Sequence, residues 1–283
     1  MNKKTDIKLT FKPQAFFIDL DGTALDSHKA KLHISDENLN AIKLVNKKIP
    51  VIISTGRINS KIVVELMQEF GSPYAICQNG GLIIDKENKI IAKYPIPSDE
   101  LEGVINFLKE EKMFMMFNSA APIYGKASRI KWIKMWSRHS SVLPYEDIPV
   151  LEDGCTKILA FGKSKKNMLK LKEILMQKHI NVAIDIIAKG YAYEITSSKA
   201  SKGLADSFIS KLLNVDPKLT VHLGDSGNDV TTIPFVGEFI AMANSIKLIK
   251  KQAKVIGPHY KKAGLGKLLL KLSGIDNNDS NKK

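Results

Sequence analysis

Cysteine is nearly missing from this chain. Cys77 and Cys155 are the only two in 283 residues. They stand far apart and in no repeated spacing, which excludes a disulfide framework and a thiolate metal centre and leaves two reduced cysteines serving as small apolar residues. Long apolar runs are missing as well: nothing approaches the roughly 18 uninterrupted apolar residues of a membrane span. The first eleven residues are polar and lysine-rich, without the apolar core of a signal peptide, so a soluble, cytoplasmic protein is expected. Acidic residues are the scarcer charge, 29 against 43 lysines and arginines, for a net charge of +14. That balance fits a nucleic-acid partner. Zinc spacing, an aromatic strand of the RNA-binding type and basic repeats are all missing, however, and the lysines are spread over the whole chain. The charge reads as a solvated surface that favours small anionic substrates; neither a nucleic acid nor a membrane is the expected partner. What is present is the composition of a globular protein with a real core, 44% hydrophobic and 25% charged. The length fits one large or two ordinary domains.

The chain is organised around Phe16-Phe17-Ile18-Asp19-Leu20-Asp21-Gly22-Thr23. An apolar run ending in two carboxylates one residue apart predicts a strand buried on both faces with a site at its carboxyl end. A buried aspartate costs several kcal/mol unless it is paired or bound to a metal. Gly22 lets the chain turn away, and Thr23 can hydrogen-bond the loop.

Three further segments repeat this grammar. A helix over 38–46, capped from Ser35, leads to the strand Val51-Ile52-Ile53-Ser54, a parallel strand–helix–strand unit. At its carboxyl end Thr55 offers a hydroxyl and Gly56 a bare N–H to a phosphate oxygen; alone, Thr55 reads better as a helix cap, and its place after D-x-D-G-T reverses that preference. Arg57 contacts an anion or pairs with an acid. Ser201-Lys202-Gly203 opens a helix to about residue 213. A cation at a helix N-terminus is out of place unless an anion sits beside it. Val221-His222-Leu223-Gly224 is a buried strand delivering Asp225-Ser226-Gly227-Asn228-Asp229. Its two carboxylates can face a divalent cation opposite Asp19, and no further ligands follow at the calcium-loop spacing.

D-x-D-G-T at 19–23, S-T-G-R at 54–57, S-K-G at 201–203 and G-D-x-x-N-D at 224–229 resemble, in this order, the four motifs of the haloacid-dehalogenase-type (HAD-like) phosphohydrolases. A-M-x-N at 241–244 resembles the Cof-like, type IIB branch. The resemblance covers residues 12–273. It implies an α/β fold: a Rossmann-like, doubly wound parallel sheet core (1–85 and 190–283) with an inserted α+β cap of type C2B (86–189). It implies hydrolysis of small phosphorylated metabolites, such as sugar phosphates, through an aspartyl-phosphate. Asp19 is then the nucleophile and Asp21 the general acid and later base. Thr55 and Lys202 bind the transferring group, with Leu20, Gly56, Arg57, Asn79 and Asn228 around the phosphate. Asp19, the main-chain carbonyl of Asp21 and Asp225 hold the metal, while Asp229 holds its water shell or orients Lys202. An all-oxygen ligand set favours Mg²⁺. A phosphosugar mutase of the same fold and, from another class, a basic non-catalytic nucleic-acid-binding protein are the alternatives. One departure is visible: Lys261 to Ala263 stand where related sequences read Asp-Gly-Val, which leaves open what holds the loop before the last helix.

Between the second and third motifs the pattern changes. A helix over 98–111 capped from Ser98, strands at 113–117, 157–161, 182–187 and 191–195, a short element at Tyr124 and a helix at 165–178 make a separate α+β unit. The core is expected to return with Glu194-Ile195-Thr196. The Asn79-Gly80-Gly81 turn lies near the substrate in the Cof-like branch, and also reads as a tight hairpin turn. Trp132 and Trp136, four apart, line a pocket, fill the unit's core or form an interface. The polar tail from Asp276 is expected to be disordered.

Overall fold

The structure, a computed structural model, describes residues 7–26, 34–130 and 141–275. Trp132, Trp136 and the tail from Asp276 lie outside them. The chain divides into two compact units, Met1–Ala92 with Ser201–Lys283, and Lys93–Ala200. Among the described residues no helix is long and apolar enough to cross a membrane.

The first unit is built on an eight-stranded sheet. Its strands are β1 (Ala15–Ile18), β2 (Val51–Ser54), β3 (Tyr74–Cys77), β4 (Leu82–Asp85), β5 (Ile90–Lys93), β12 (Thr220–Gly224), β13 (Glu238–Ala241) and β14 (Val255–Ile256), in the order β14-β13-β12-β1-β2-β3-β4-β5. From β14 to β3 every pairing is parallel, and β4 returns antiparallel to β3. β1, β2 and β12 are buried at every position, as a sheet covered on both faces requires.

The pleat sorts the side chains. Phe16, Ile18, Val51, Ile53, Val221 and Leu223 share one apolar cluster with Ile42 and Val45 of α1 (Asp36–Asn46), Val63 and Met67 of α2 (Lys61–Phe70) and Leu265 and Leu268 of the C-terminal helix, Gly264–Ser273. The alternate residues, among them Phe17, Ile52, Ser54 and His222, point to the other face. There the helix Lys202–Leu212 lies, with Ala205, Asp206 and Ile209 buried. Helix ends follow their signals. Ser35 and Ser201 cap with their hydroxyls, and Gly71 closes α2 in the left-handed conformation.

The second unit has a six-stranded sheet of β6 (Phe114–Phe117), β7 (Ile123–Gly125), β8 (Val142–Pro144), β9 (Lys157–Phe161), β10 (Val182–Ile187) and β11 (Ala192–Ser197), ordered β10-β11-β9-β6-β7-β8. α3 (Ser98–Glu110) and α4 (Lys165–Lys178) bury Val104, Leu108, Met168, Leu171 and Leu175 in its core.

Three expectations are corrected. Glu194-Ile195-Thr196 does not return the chain to the first sheet: all three lie in β11, paired with β9 and β10. β5 stays with the first unit as its edge strand. The divisions therefore fall after Ala92 and after Ala200 rather than at residues 86 and 189, because pairing decides membership and short strands carry no mark of their partners. Ser98 is not the cap of α3. Pro97 holds that position, and Glu100 turns inward to meet His179 Nδ1 at 2.6 Å and the Asn181 N–H at 3.2 Å.

Asn38 ties the site loop to the rest of the first unit. It is fully buried; its Nδ2 donates to the Ala24 carbonyl at 2.9 Å, and its Oδ1 accepts from the Gly266 N–H at 2.6 Å. Nearby Asp26 accepts from the Ala263 N–H at 2.9 Å and the Ser35 N–H at 2.7 Å. An acid just past the first motif thus holds the loop before the last helix, in which Lys262 and Ala263 adopt positive φ angles of 59° and 53°. Asn38→Leu keeps the side chain's heavy-atom count and branching but leaves a carbonyl and an N–H unpaired in the interior. The expected loss is about 2–4 kcal/mol of unfolding free energy, measured as a lower urea midpoint with unchanged slope.

Candidate functional site

The three parallel strands β1, β12 and β2 set their carboxyl ends along one rim. Register pairs Phe17 with both His222 and Ile52, so the first residues past each strand, Asp19, Asp225 and Thr55, emerge together. The fourth contributor is α5 (Lys202–Leu212), whose first residue is Lys202. A Cβ at Gly80 would lie 2.3 Å from the Ser201 carbonyl oxygen, so the Asn-Gly-Gly turn can sit against the start of α5 only because it carries glycine. Gly80 has φ 95°.

Lys202 has no exposed surface. Its Nζ donates to Asp19 Oδ1 at 2.7 Å and to Asp229 Oδ1 at 2.6 Å. Asp229, also fully buried, accepts from the Asp225 and Ser226 N–H groups on Oδ2 at 3.0 and 2.9 Å. Asp225 accepts from Ser226 Oγ at 2.7 Å and from Asn244 Nδ2 at 2.8 Å. Asn244 also donates to the Gly22 carbonyl at 2.9 Å, tying the first motif to the fourth. Gly22 has φ 76°, and a Cβ there would stand 2.3 Å from Asp225 Oδ2.

Burial pushes the Asp19 carboxyl up to about 7; Lys202 pulls it down, and Asp229 and Asp225 add to the rise. Burial also raises Asp225. Burial alone raises Asp229 as well, but Lys202 and His222 outweigh it and hold this carboxyl below its ordinary value. Lys202 shows the converse: desolvation favours the neutral amine, and Asp19 and Asp229 together keep it charged and above its usual range.

A second thread joins the remaining residues. Asp21 is exposed, and its carboxylate accepts from Arg57 Nε at 2.6 Å and from the Arg57 terminal amino group. Of the two roles open to Arg57, this structure has the ion pair, which also raises its pKa. The Arg57 N–H meets Thr55 Oγ1 at 3.2 Å, and the Asn79 N–H donates to the Thr55 carbonyl at 3.0 Å. Asn79 Oδ1 accepts from Asn228 Nδ2 at 2.8 Å, and a Cβ on Gly56 would come within 2.9 Å of that same oxygen. Leu20 lies between the two carboxylates with its side chain in the core, so it presents only main-chain atoms to the rim.

Oxygen atoms of Asp19, Asp225 and Asp229 lie within 4.8 Å of one another. All are hard carboxylate donors, which fits a divalent cation of the Mg²⁺ or Mn²⁺ kind. Both Asp229 oxygens already accept two hydrogen bonds each. Asp19 and Asp225 are therefore the carboxylates better placed for direct ligation.

Sequence reasoning missed Asn244, Ser226, His222, Asp206 and Ser54 as members of this constellation. Two of them carried a signal. His222 is an ionisable residue set between the apolar Val221 and Leu223 of a buried strand, and Asp206 stands four residues after Lys202, hence on the same helix face. Ser226 and Asn244 act through loop contacts that spacing does not reveal.

Residues 16–269 match the family described as haloacid dehalogenase-like hydrolase. The chain is 25% identical over 267 residues to the phosphatase YwpJ of Bacillus subtilis (strain 168), covering 84% of this chain and 92% of that protein. It is 25% identical over 251 residues to a phosphoglycolate phosphatase of Archaeoglobus fulgidus, covering 88% and 92%. The solved structure of a HAD subclass IIB sugar phosphatase shares the fold, with a TM-score of 0.73 at 19% identity over 93% of this chain and 100% of the other. With the family's pattern running over residues 16–269 and the four acidic, hydroxyl and lysine segments meeting at one sheet rim, the chain belongs to the haloacid dehalogenase-like hydrolases.

Proposed function

We propose that this protein is a Mg²⁺-dependent phosphatase that hydrolyses phosphate monoesters of small metabolites through a phosphorylated Asp19. The observation that carries the reading is Lys202, fully buried and bonded at once to Asp19 and Asp229. A desolvated cation beside the first carboxylate is what a phosphoryl group arriving at that carboxylate requires. The bound cation supplies neutralisation of the carboxylate and of the phosphate dianion.

The chain's own groups divide the work. A carboxylate oxygen of Asp19 attacks phosphorus in line, and the bond from phosphorus to the ester oxygen breaks. Asp21 protonates the departing alcohol. It then takes a proton from water as water attacks the same phosphorus and releases the Asp19 carboxylate. For this, Asp21 must leave the Arg57 pair, which its exposed position allows. Lys202, the Thr55 hydroxyl, the Gly56 N–H and Asn228 offer positive charge or donors to the equatorial oxygens. Asp229, with its oxygens committed, fixes Lys202 in place. Arg57, once freed from Asp21, faces the anionic substrate. One relative is named for phosphoglycolate and one structural neighbour as a sugar phosphatase, so the substrate class proposed is small phosphorylated metabolites, sugar phosphates included.

Three outcomes are expected. Asp19→Asn loses more than about a thousandfold in kcat on a chromogenic phosphate ester, with the fold retained by circular dichroism; a variant retaining activity removes the nucleophile from the scheme. Asp225→Asn raises the Mg²⁺ concentration for half-maximal rate by about 10- to 100-fold, read from a metal titration of the rate. The third concerns pH. Burial raises the Asp19 carboxyl to about 7 in the metal-free protein, so below neutrality a proton competes with the metal. The apparent Mg²⁺ affinity, followed by calorimetry, rises from pH 5.5 to neutrality and levels off above it, and Asp19→Asn flattens the curve.

A further inference from the structure

Behind Lys202 the polar groups do not stop. α5 carries Lys202 and, one turn on, Asp206, and both are fully buried. β12 carries His222, also without exposed surface, on the sheet face opposite Val221 and Leu223. His222 Nδ1 lies 2.7 Å from Asp206 Oδ2, and Nε2 lies 3.0 Å from Asp229 Oδ1. Asp229 Oδ1 is the atom that also accepts from Lys202. Asp206 Oδ1 accepts from Ser54 Oγ at 3.2 Å, and Ser54 immediately precedes Thr55. Lys202, Asp229, His222 and Asp206 thus form a closed ring whose first and last members are joined by one turn of helix.

A closed ring of buried charged groups is more than the chemistry of the rim demands. Apolar residues at 206 and 222 would satisfy the core at lower desolvation cost. What the ring adds is rigidity at one atom. Asp229 Oδ1 is held from two sides, and Oδ2 by two main-chain N–H groups, so its carboxylate has no freedom to rotate. The seat is also tight: a Cβ at Gly224 would lie 2.1 Å from the Asp229 carboxyl carbon.

We propose that Asp206 and His222 form a positioning dyad that locks the Asp229 carboxylate and, through it, sets Lys202 against the oxygens of the transferring phosphoryl group. Neither residue touches substrate; both act through Asp229. The inference rests on the reading of Lys202 as the group that meets the phosphoryl oxygens. Because Ser54 extends the same chain of contacts to the residue before Thr55, the dyad also couples the lysine and hydroxyl segments of the site.

The test uses the full-length protein and three variants, His222→Gln, Asp206→Asn and the double variant, assayed on a chromogenic phosphate ester with saturating Mg²⁺. A positioning role predicts that each single variant loses about 10- to 100-fold in kcat, while KM and the Mg²⁺ half-activation concentration stay within about twofold. The double variant loses no more than His222→Gln alone, because the two residues act as one unit. Proton NMR of the unmodified protein should show a strongly downfield imidazole N–H that disappears in His222→Gln and moves in Asp206→Asn. Unchanged kcat in both single variants overturns the proposal. So do losses that multiply in the double variant, losses that merely follow a lowered fraction folded, or the lack of the downfield resonance. If the unmodified protein hydrolyses no phosphate ester, the phosphatase reading fails, and the resonance and its response to Asp206→Asn still decide whether the dyad exists.

Discussion

An ammonium group with no exposed surface is the constraint around which the first unit is built. Moving such a charge out of water costs several kcal/mol, recovered only when partners and geometry are good. Lys202 has two carboxylates within 2.7 Å, and they come from two separate elements, the end of β1 and the one-turn helix Gly227–Val230 after β12. Those elements cannot drift apart without stranding a buried charge. The parallel pairing of β1 with β12 therefore serves the core and the site at once. Small residues make the approach possible: a Cβ at Gly203 would lie 2.2 Å from the Thr231 carbonyl oxygen, which would displace the very helix turn that carries Lys202.

The same arrangement is electrostatically incomplete by itself. Asp19, Asp225 and Asp229 crowd together around one lysine, and burial already drives Asp19 toward its neutral form. A carboxyl pushed toward its neutral form is a poorer nucleophile and a poorer ligand. A divalent cation reverses that balance, since a nearby +2 charge favours the ionised form far more than burial opposes it. Asp19 and Asp225 are thus biased toward their neutral forms, a bias that a bound cation would relieve. Asn38, Asp26 and Asn244 brace the surrounding loops with buried or half-buried hydrogen bonds.

How much of this was legible beforehand follows from the kind of information each feature carries. β1, β2 and β12 announced themselves as apolar runs, and Ser35 and Ser201 marked the starts of helices. The motif residues were legible because chemistry restricts their types: Asp19, Lys202 and Asp225 stand where few other side chains are useful. Domain membership was not legible at the same resolution. Nothing in Ile90 or Glu194 says which strand will pair beside it, so both boundaries lie further along the chain than expected. The loop contacts of Asn244 and Ser226 were hidden for a similar reason, because they depend on how two distant turns fold over each other.

His222 is the instructive intermediate case. Alternation along a strand covered on both faces gives no cause to expect one face to be polar, and Val221 and Leu223 are apolar as the rule requires. A histidine between them signals that the opposite face meets something other than hydrocarbon. Helical spacing names the partner: four residues past Lys202 stands Asp206, on the helix that covers that face. Neither residue is informative alone, since a buried histidine or a helical aspartate occurs in many cores. Joined, they explain why a sheet otherwise filled with phenylalanine, isoleucine and valine tolerates charge at its centre. The polar groups there are not defects in the packing but the inner half of the rim, carried one layer deeper than the motifs extend.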